Sequence, residues 1–76
     1  MDWYKTAMGV FNGKRGDKVR VKSKFPYEQL KSSEGDYYYV AQDDSTFYVY
    51  PYPPTFNHYK GDSYQIQKSL YDLEKI

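Results

Sequence analysis

The chain has 76 residues with 11 Lys/Arg, 10 Asp/Glu and no cysteine, for a net charge of +1. That length holds one domain with one small core, and without cysteine there are no disulfides to reinforce it and no thiolate zinc site. No stretch approaches the roughly 18 apolar residues of a membrane span and no signal pattern opens the chain, so residues 1–76 are expected to be a single soluble, cytoplasmic domain.

Residues 2–11 come first. Trp3, Ala7, Val10 and Phe11 fall at helical spacing, with Asp2 as cap and Asn12-Gly13 as stop, which favours a short helix. Gly9 weakens that pattern, and Asn-Gly also suits a hairpin turn. Then a device appears that recurs: Gly16-Asp17-Lys18-Val19-Arg20-Val21, Gly35-Asp36-Tyr37-Tyr38-Tyr39-Val40 and Gly61-Asp62-Ser63-Tyr64-Gln65-Ile66. Gly adopts backbone angles other residues resist and Asp bonds within its own turn, so each copy predicts a turn that launches a strand. Alternation then places Val19, Val21, Tyr38, Val40, Tyr64 and Ile66 on a shared buried face.

The first strand covers residues 18–25, with Val19, Val21 and Phe25 on one side and Lys18, Arg20, Lys22 and Lys24 on the other. Pro26 ends it, and residues 27–34 read as a loop with one helical turn at 28–31. Residues 37–41 and 46–50 form a hairpin turning at Asp43-Asp44. An even-length turn centred there pairs Val40 with Phe47 and Tyr38 with Val49 on the buried face. It pairs Tyr39 with Tyr48 and Tyr37 with Tyr50 outside. Pro51-Tyr52-Pro53-Pro54 breaks the sheet and favours an extended conformation. Residues 63–68 give the last strand, and Ser69-Leu70-Tyr71-Asp72 resembles a capping box that opens a short helix to Ile76. The expected fold is mainly β (α+β): a small curled antiparallel sheet of about four strands with short N- and C-terminal helical segments.

The middle of the chain resembles an SH3-type barrel. The residues that carry the likeness are Phe11-Asn12-Gly13-Lys14-Arg15-Gly16-Asp17-Lys18-Val19-Arg20-Val21, Glu34-Gly35-Asp36-Tyr37-Tyr38 and Tyr48-Val49-Tyr50-Pro51. They are similar to a turn-and-strand, a paired-aromatic segment and an aromatic-aliphatic-Pro segment of that family. The resemblance implies an SH3-like barrel in which Tyr37 or Tyr38, Pro51 and Tyr52 line a peptide-binding groove. The family's leading aromatic strand is missing, the loop before Glu34 is long, and a further strand follows the prolines.

Two features of composition bear on function. Leu, Ile and Val number 10, whereas Phe, Trp and Tyr number 16, of which 11 are tyrosine. So many tyrosines exceed what one small core hides, and several are expected at the surface. The charge is also split: residues 1–34 carry eight Lys/Arg against four Asp/Glu, residues 35–76 three against six. Catalysis has little to build on. His58 is the only histidine, a Ser-His-Asp set would need it beside serines in polar turns, and no spacing announces a metal site or a phosphate loop. The chain is therefore expected to be no enzyme and to need no cofactor.

Binding is the remaining class. Tyr and Arg concentrate at interface hot spots because they bury large area at low entropic cost. Tyr37, Tyr39, Tyr48, Tyr50 and Tyr52, flanked by Arg20 and Lys22, are the expected contact residues. A protein of this type resembles the small accessory proteins and inhibitors of phages and mobile elements, which occupy a site on a host protein or complex, or dimerise. The alternative is single-stranded nucleic acid, bound by the basic stretch 14–24 with tyrosines stacking on bases. The same lysines also serve simply to solubilise a strand.

Overall fold

A computed structural model describes residues 11–55 and 60–76. They form one antiparallel sheet of five strands with very little helix. β1 is Lys18–Ser23, β2 Gly35–Gln42, β3 Thr46–Tyr50, β4 Tyr64–Gln67 and β5 Tyr71–Lys75. A single helical turn, α1 (Glu28–Lys31), links β1 to β2, and a 3-10 turn (Lys60–Asp62) precedes β4. The sheet order is β4-β3-β2-β1-β5: four strands meander, and the fifth returns to the far side of β1. The sheet is not closed into a barrel. The expected N-terminal helix at residues 2–11 lies almost wholly outside the described residues.

The core sits on one face. Val19 and Val21 of β1, Tyr39 of β2, Phe47 and Val49 of β3, Ile66 of β4 and Tyr71 of β5 are buried together with Phe11. Leu30 of α1, Leu70, Leu73 and Tyr37 pack against this cluster. The helical turn caps the β5 end, where the Tyr71 hydroxyl donates to the Leu30 carbonyl at 2.9 Å. At the opposite corner the Gln42 amide holds Phe11 at both backbone groups, accepting from its N–H (3.3 Å) and donating to its carbonyl (2.7 Å). The Lys68 amine, also buried, donates to Gln42 and lies 5.0 Å over the Phe47 ring.

Four expectations need correction. First, residues 71–75 are a strand, not a helix. Tyr71 and Leu73 face the core while Asp72 and Glu74 face out, a period of two. A six-residue helix cannot recover its nucleation cost, whereas β1 offers a whole ladder of backbone partners.

Second, the hairpin register differs. The Asp43 N–H donates to the Thr46 carbonyl (3.0 Å), so the turn centres on Asp44-Ser45 and Gln42, not Val40, stands opposite Phe47. A β-bulge between Tyr39 and Ala41 then inserts one extra residue and flips the face of everything before it. Tyr39 comes to oppose Val49 on the core side, and Tyr38 opposes Tyr50 on the other. Val40, the extra residue, is buried but lies outside the core cluster.

Third, Tyr64 shares its face with Val49 yet is 50% exposed, because β4 is an outer strand and nothing described covers its free side. Fourth, Phe25 lies beyond the end of β1 and is exposed, stacked on Tyr27 at 5.7 Å. The helical turn at 28–31 and the buried positions of Val19, Val21, Phe47, Val49 and Ile66 match expectation.

Candidate functional site

The start of β2, the end of β3 and the start of β4 lie at one end of the sheet; β3 ends on Tyr50, β4 begins on Tyr64, and Tyr37 is the third residue of β2. Antiparallel pairing puts them there: β2 and β4 begin where β3 finishes. The rings form a chain. Tyr37 meets Tyr64 edge-on at 5.9 Å, Tyr64 meets Tyr50 at 6.2 Å, and Tyr50 meets Tyr52 at 6.1 Å. The chain is anchored at its inner end, where Tyr37 packs on the core and its hydroxyl donates to the Ser33 carbonyl at 3.1 Å. Burial pushes the Tyr37 phenol above its ordinary pKa. Its outer end is open, with Tyr52 67% exposed.

Three prolines fix the backbone around that outer end. Pro51 follows Tyr50 directly, and Tyr52 precedes Pro53-Pro54. Each proline locks its own φ and biases the residue before it toward extended angles. The segment is tied down where Arg15 Nη2 donates to the Thr55 carbonyl at 2.9 Å. The result is a firm aromatic and proline surface that costs little side-chain entropy to present.

The residues expected to form one contact surface are thus divided. Tyr37, Tyr50 and Tyr52 come together, and Tyr64, expected in the core, joins them. Tyr39 was expected to face outward beside Tyr48, and this is corrected. It is 6% exposed, with its ring 4.7 Å from Phe11. Tyr48 stands on the opposite face, its hydroxyl donating to Asp43 Oδ2 at 2.7 Å and its ring under the Lys60 amine at 5.0 Å. That hydrogen bond raises the Tyr48 pKa and lowers that of Asp43. Phase alone could not have found Tyr64. The usable signal was that a strand following prolines and a 3-10 turn is apt to be an outer one.

The basic stripe is also rearranged. Arg20 Nε donates to Asp36 Oδ1 at 2.9 Å, and Glu74 of β5 stands opposite Arg20 on the other side. Lys22 stands opposite Asp72, and Lys24 approaches the same carboxylate at 3.8 Å. Lys75 reaches Asp17 at 3.6 Å. The rows of Arg20 and Lys22 each carry an acid, whereas the row of Lys18, which runs to Tyr38 and Tyr50, carries none. The Asp36 carboxyl is held below its ordinary pKa by the Arg20 hydrogen bond.

An open polar hollow lies between the β2–β3 turn and the end of β4 with its link to β5, lined by Asp44, Ser45, Thr46, Gln65, Gln67, Lys68 and Ser69. Its hydroxyls have no histidine among the described residues to activate them, and His58 falls outside those residues. Among the described residues no three His, Cys, Asp or Glu side chains gather, and no helix is long and apolar enough to cross a membrane. No protein-family model, curated protein or solved structure matches this chain.

Proposed function

We propose that the protein is a non-catalytic, protein-binding module whose contact surface is the tyrosine chain Tyr37–Tyr64–Tyr50–Tyr52. The observation that carries this reading is the mutual contact of the four rings next to a proline-stiffened segment, anchored inside and exposed at Tyr52 and Tyr64. Aromatic rings already held in place lose little entropy on docking, so their burial is converted efficiently into affinity. The surface suits a small accessory protein or inhibitor that occupies a site on a host protein, of the kind phages and mobile elements encode. The SH3-like resemblance belongs to the same proposal: of the groove residues it implies, Tyr37 or Tyr38 with Pro51 and Tyr52, the ring chain contains Tyr37 and Tyr52, and Pro51 lies between its last two members. The nucleic-acid alternative has less support, because Arg20, Lys22 and Lys24 are each faced by a carboxylate.

The test uses Tyr52→Ala and Tyr64→Ala in capture from nuclease-treated extract of the native host. A partner held by the wild type should be lost or weakened about 30-fold by either change, the equivalent of roughly 2 kcal/mol. Capture that depends on nucleic acid, or that both variants leave intact, overturns the proposal.

A further inference from the structure

The two outer strands of this open sheet are not alike. In an antiparallel ladder, successive residues alternate between backbone groups that face the neighbouring strand and groups that face away. The Lys24 N–H donates to the Leu70 carbonyl (2.8 Å) and the Ile76 N–H to the Lys18 carbonyl (3.0 Å). With the β1–β5 register, these bonds make Asp72 and Glu74 the residues that face β1. The N–H and C=O groups of Tyr71, Leu73 and Lys75 therefore point outward, and among the described residues no backbone bond reaches them. On β4, the Lys68 N–H bond to the Ser45 carbonyl (2.9 Å) leaves Gln65 and Gln67 outward, but Leu70 already occupies the Gln67 carbonyl. The edge of β5 is the longer and more open.

Side chains define what fits there. On the outer face, charge alternates across the strands: Glu74 on β5, Arg20 on β1, Asp36 on β2 form one row. Asp72 and Lys22 begin the next row, which continues to Glu34 just before β2. Both rows stop at the free edge on a carboxylate. On the core face the same strand shows Leu73, only partly covered. Two copies of β5 placed edge to edge would set carboxylate against carboxylate, which disfavours self-pairing.

We infer that the free edge of β5 takes a sixth strand from a partner protein, an extended segment that alternates Lys or Arg with apolar residues. Its basic side chains continue the two charged rows, and its apolar ones close over Leu73. The strand already on the other side of β5, Lys18-Val19-Arg20-Val21-Lys22, has this composition and shows what the strand accepts. The site is the backbone edge of β5, a different strand from those that carry the tyrosine chain, and does not depend on the function assigned there.

The probe is an end-blocked peptide, Lys-Val-Arg-Val-Lys-Ser, added at millimolar concentration, with Glu-Val-Glu-Val-Glu-Ser as control. Amide hydrogen exchange resolved by residue is the readout. The basic peptide should slow exchange at Tyr71, Leu73 and Lys75, and the acidic one should not. Glu74→Lys should weaken the effect at least roughly threefold, as expected for a like charge set opposite. Lys75→Pro removes an outward N–H without breaking a β1–β5 bond and should also weaken it. Circular dichroism confirms that each variant is folded. Unchanged exchange at Leu73 and Lys75 would mean that the carboxylates only guard the edge. That result overturns the inference, as do equal responses to both peptides, protection confined to Gln65, or altered exchange at Arg20 and Lys22 from displacement of β1.

Discussion

The dipeptide Gly-Asp occurs three times and does three different things. Gly16 sits at φ 95° in a tight turn, where Asp17 accepts from the Lys14 N–H at 2.7 Å. Gly35, at φ 148°, is already inside β2, and Asp36 is a strand residue paired to Arg20. Gly61 is the middle of a 3-10 turn. The turn chemistry of the residues was legible, but their place relative to the strand was not, because that depends on a partner across the sheet. The carboxylates show what such placement produces. Asp17 is held below its ordinary pKa first by the Lys14 N–H, Glu34 by the Ser23 N–H and hydroxyl, Asp36 by Arg20, and Asp43 by the Tyr48 hydroxyl and then the Ser45 N–H. Each folded value lies under the ordinary 3.8 for Asp or 4.5 for Glu, so on acidification the unfolded chain takes up protons first. Their contribution is complete above the ordinary values and is lost as pH falls through the folded ones. Melting temperature should therefore fall as the pH drops below about 4. Asp43→Asn should lower it at neutral pH and flatten that acid limb. An acid limb as steep as wild type in this variant would show that Asp43 contributes nothing.

At the scale of elements, periodicity identified β1, β3 and β4, and local turn signals placed the helical turn and, one residue early, the hairpin turn. It failed on β2 for a definite reason. Tyr37, Tyr38, Tyr39 and Val40 are all apolar enough to face inward, so the pattern carried no phase, and the bulge at Val40 decided it. Replacing Phe47, 1% exposed, with Ala should cost about 3–5 kcal/mol, and Tyr39→Ala a comparable amount. Val40→Ala should cost clearly less than either, since Val40 lies outside the core cluster. Urea denaturation of the three variants checks the ranking; a Val40 variant as unstable as the Tyr39 one would place the bulge wrongly. The β5 segment failed differently. Ser69-Leu70-Tyr71-Asp72 is locally a sound helix start, and only the vacant side of β1 outweighs it.

For the whole molecule, the split between a basic first half and an acidic second half turns out to be internal. β5 carries Asp72 and Glu74 back beside Lys22 and Arg20, so part of the charge of each half is neutralised across the sheet. If the tyrosine chain is the contact surface, partner binding should weaken only modestly between 50 and 300 mM salt, whereas a nucleic-acid ligand would show a log-log slope of about −0.7 per phosphate neutralised. A slope that steep in a titration with the captured partner would overturn the protein-binding reading. The return of β5 also has a consequence in time. Pairings among β1, β2, β3 and β4 join neighbours in sequence, but Val21 meets Leu73 only after nearly the whole intervening chain has been gathered in. Closing so long a loop is entropically costly until the meander exists to receive it. The fifth strand should thus dock last, after the rate-limiting barrier. Leu73→Ala should then hasten unfolding while leaving the refolding rate nearly untouched, and Val49→Ala should slow refolding. Stopped-flow refolding slowed equally by both would show that β5 is laid down with the rest.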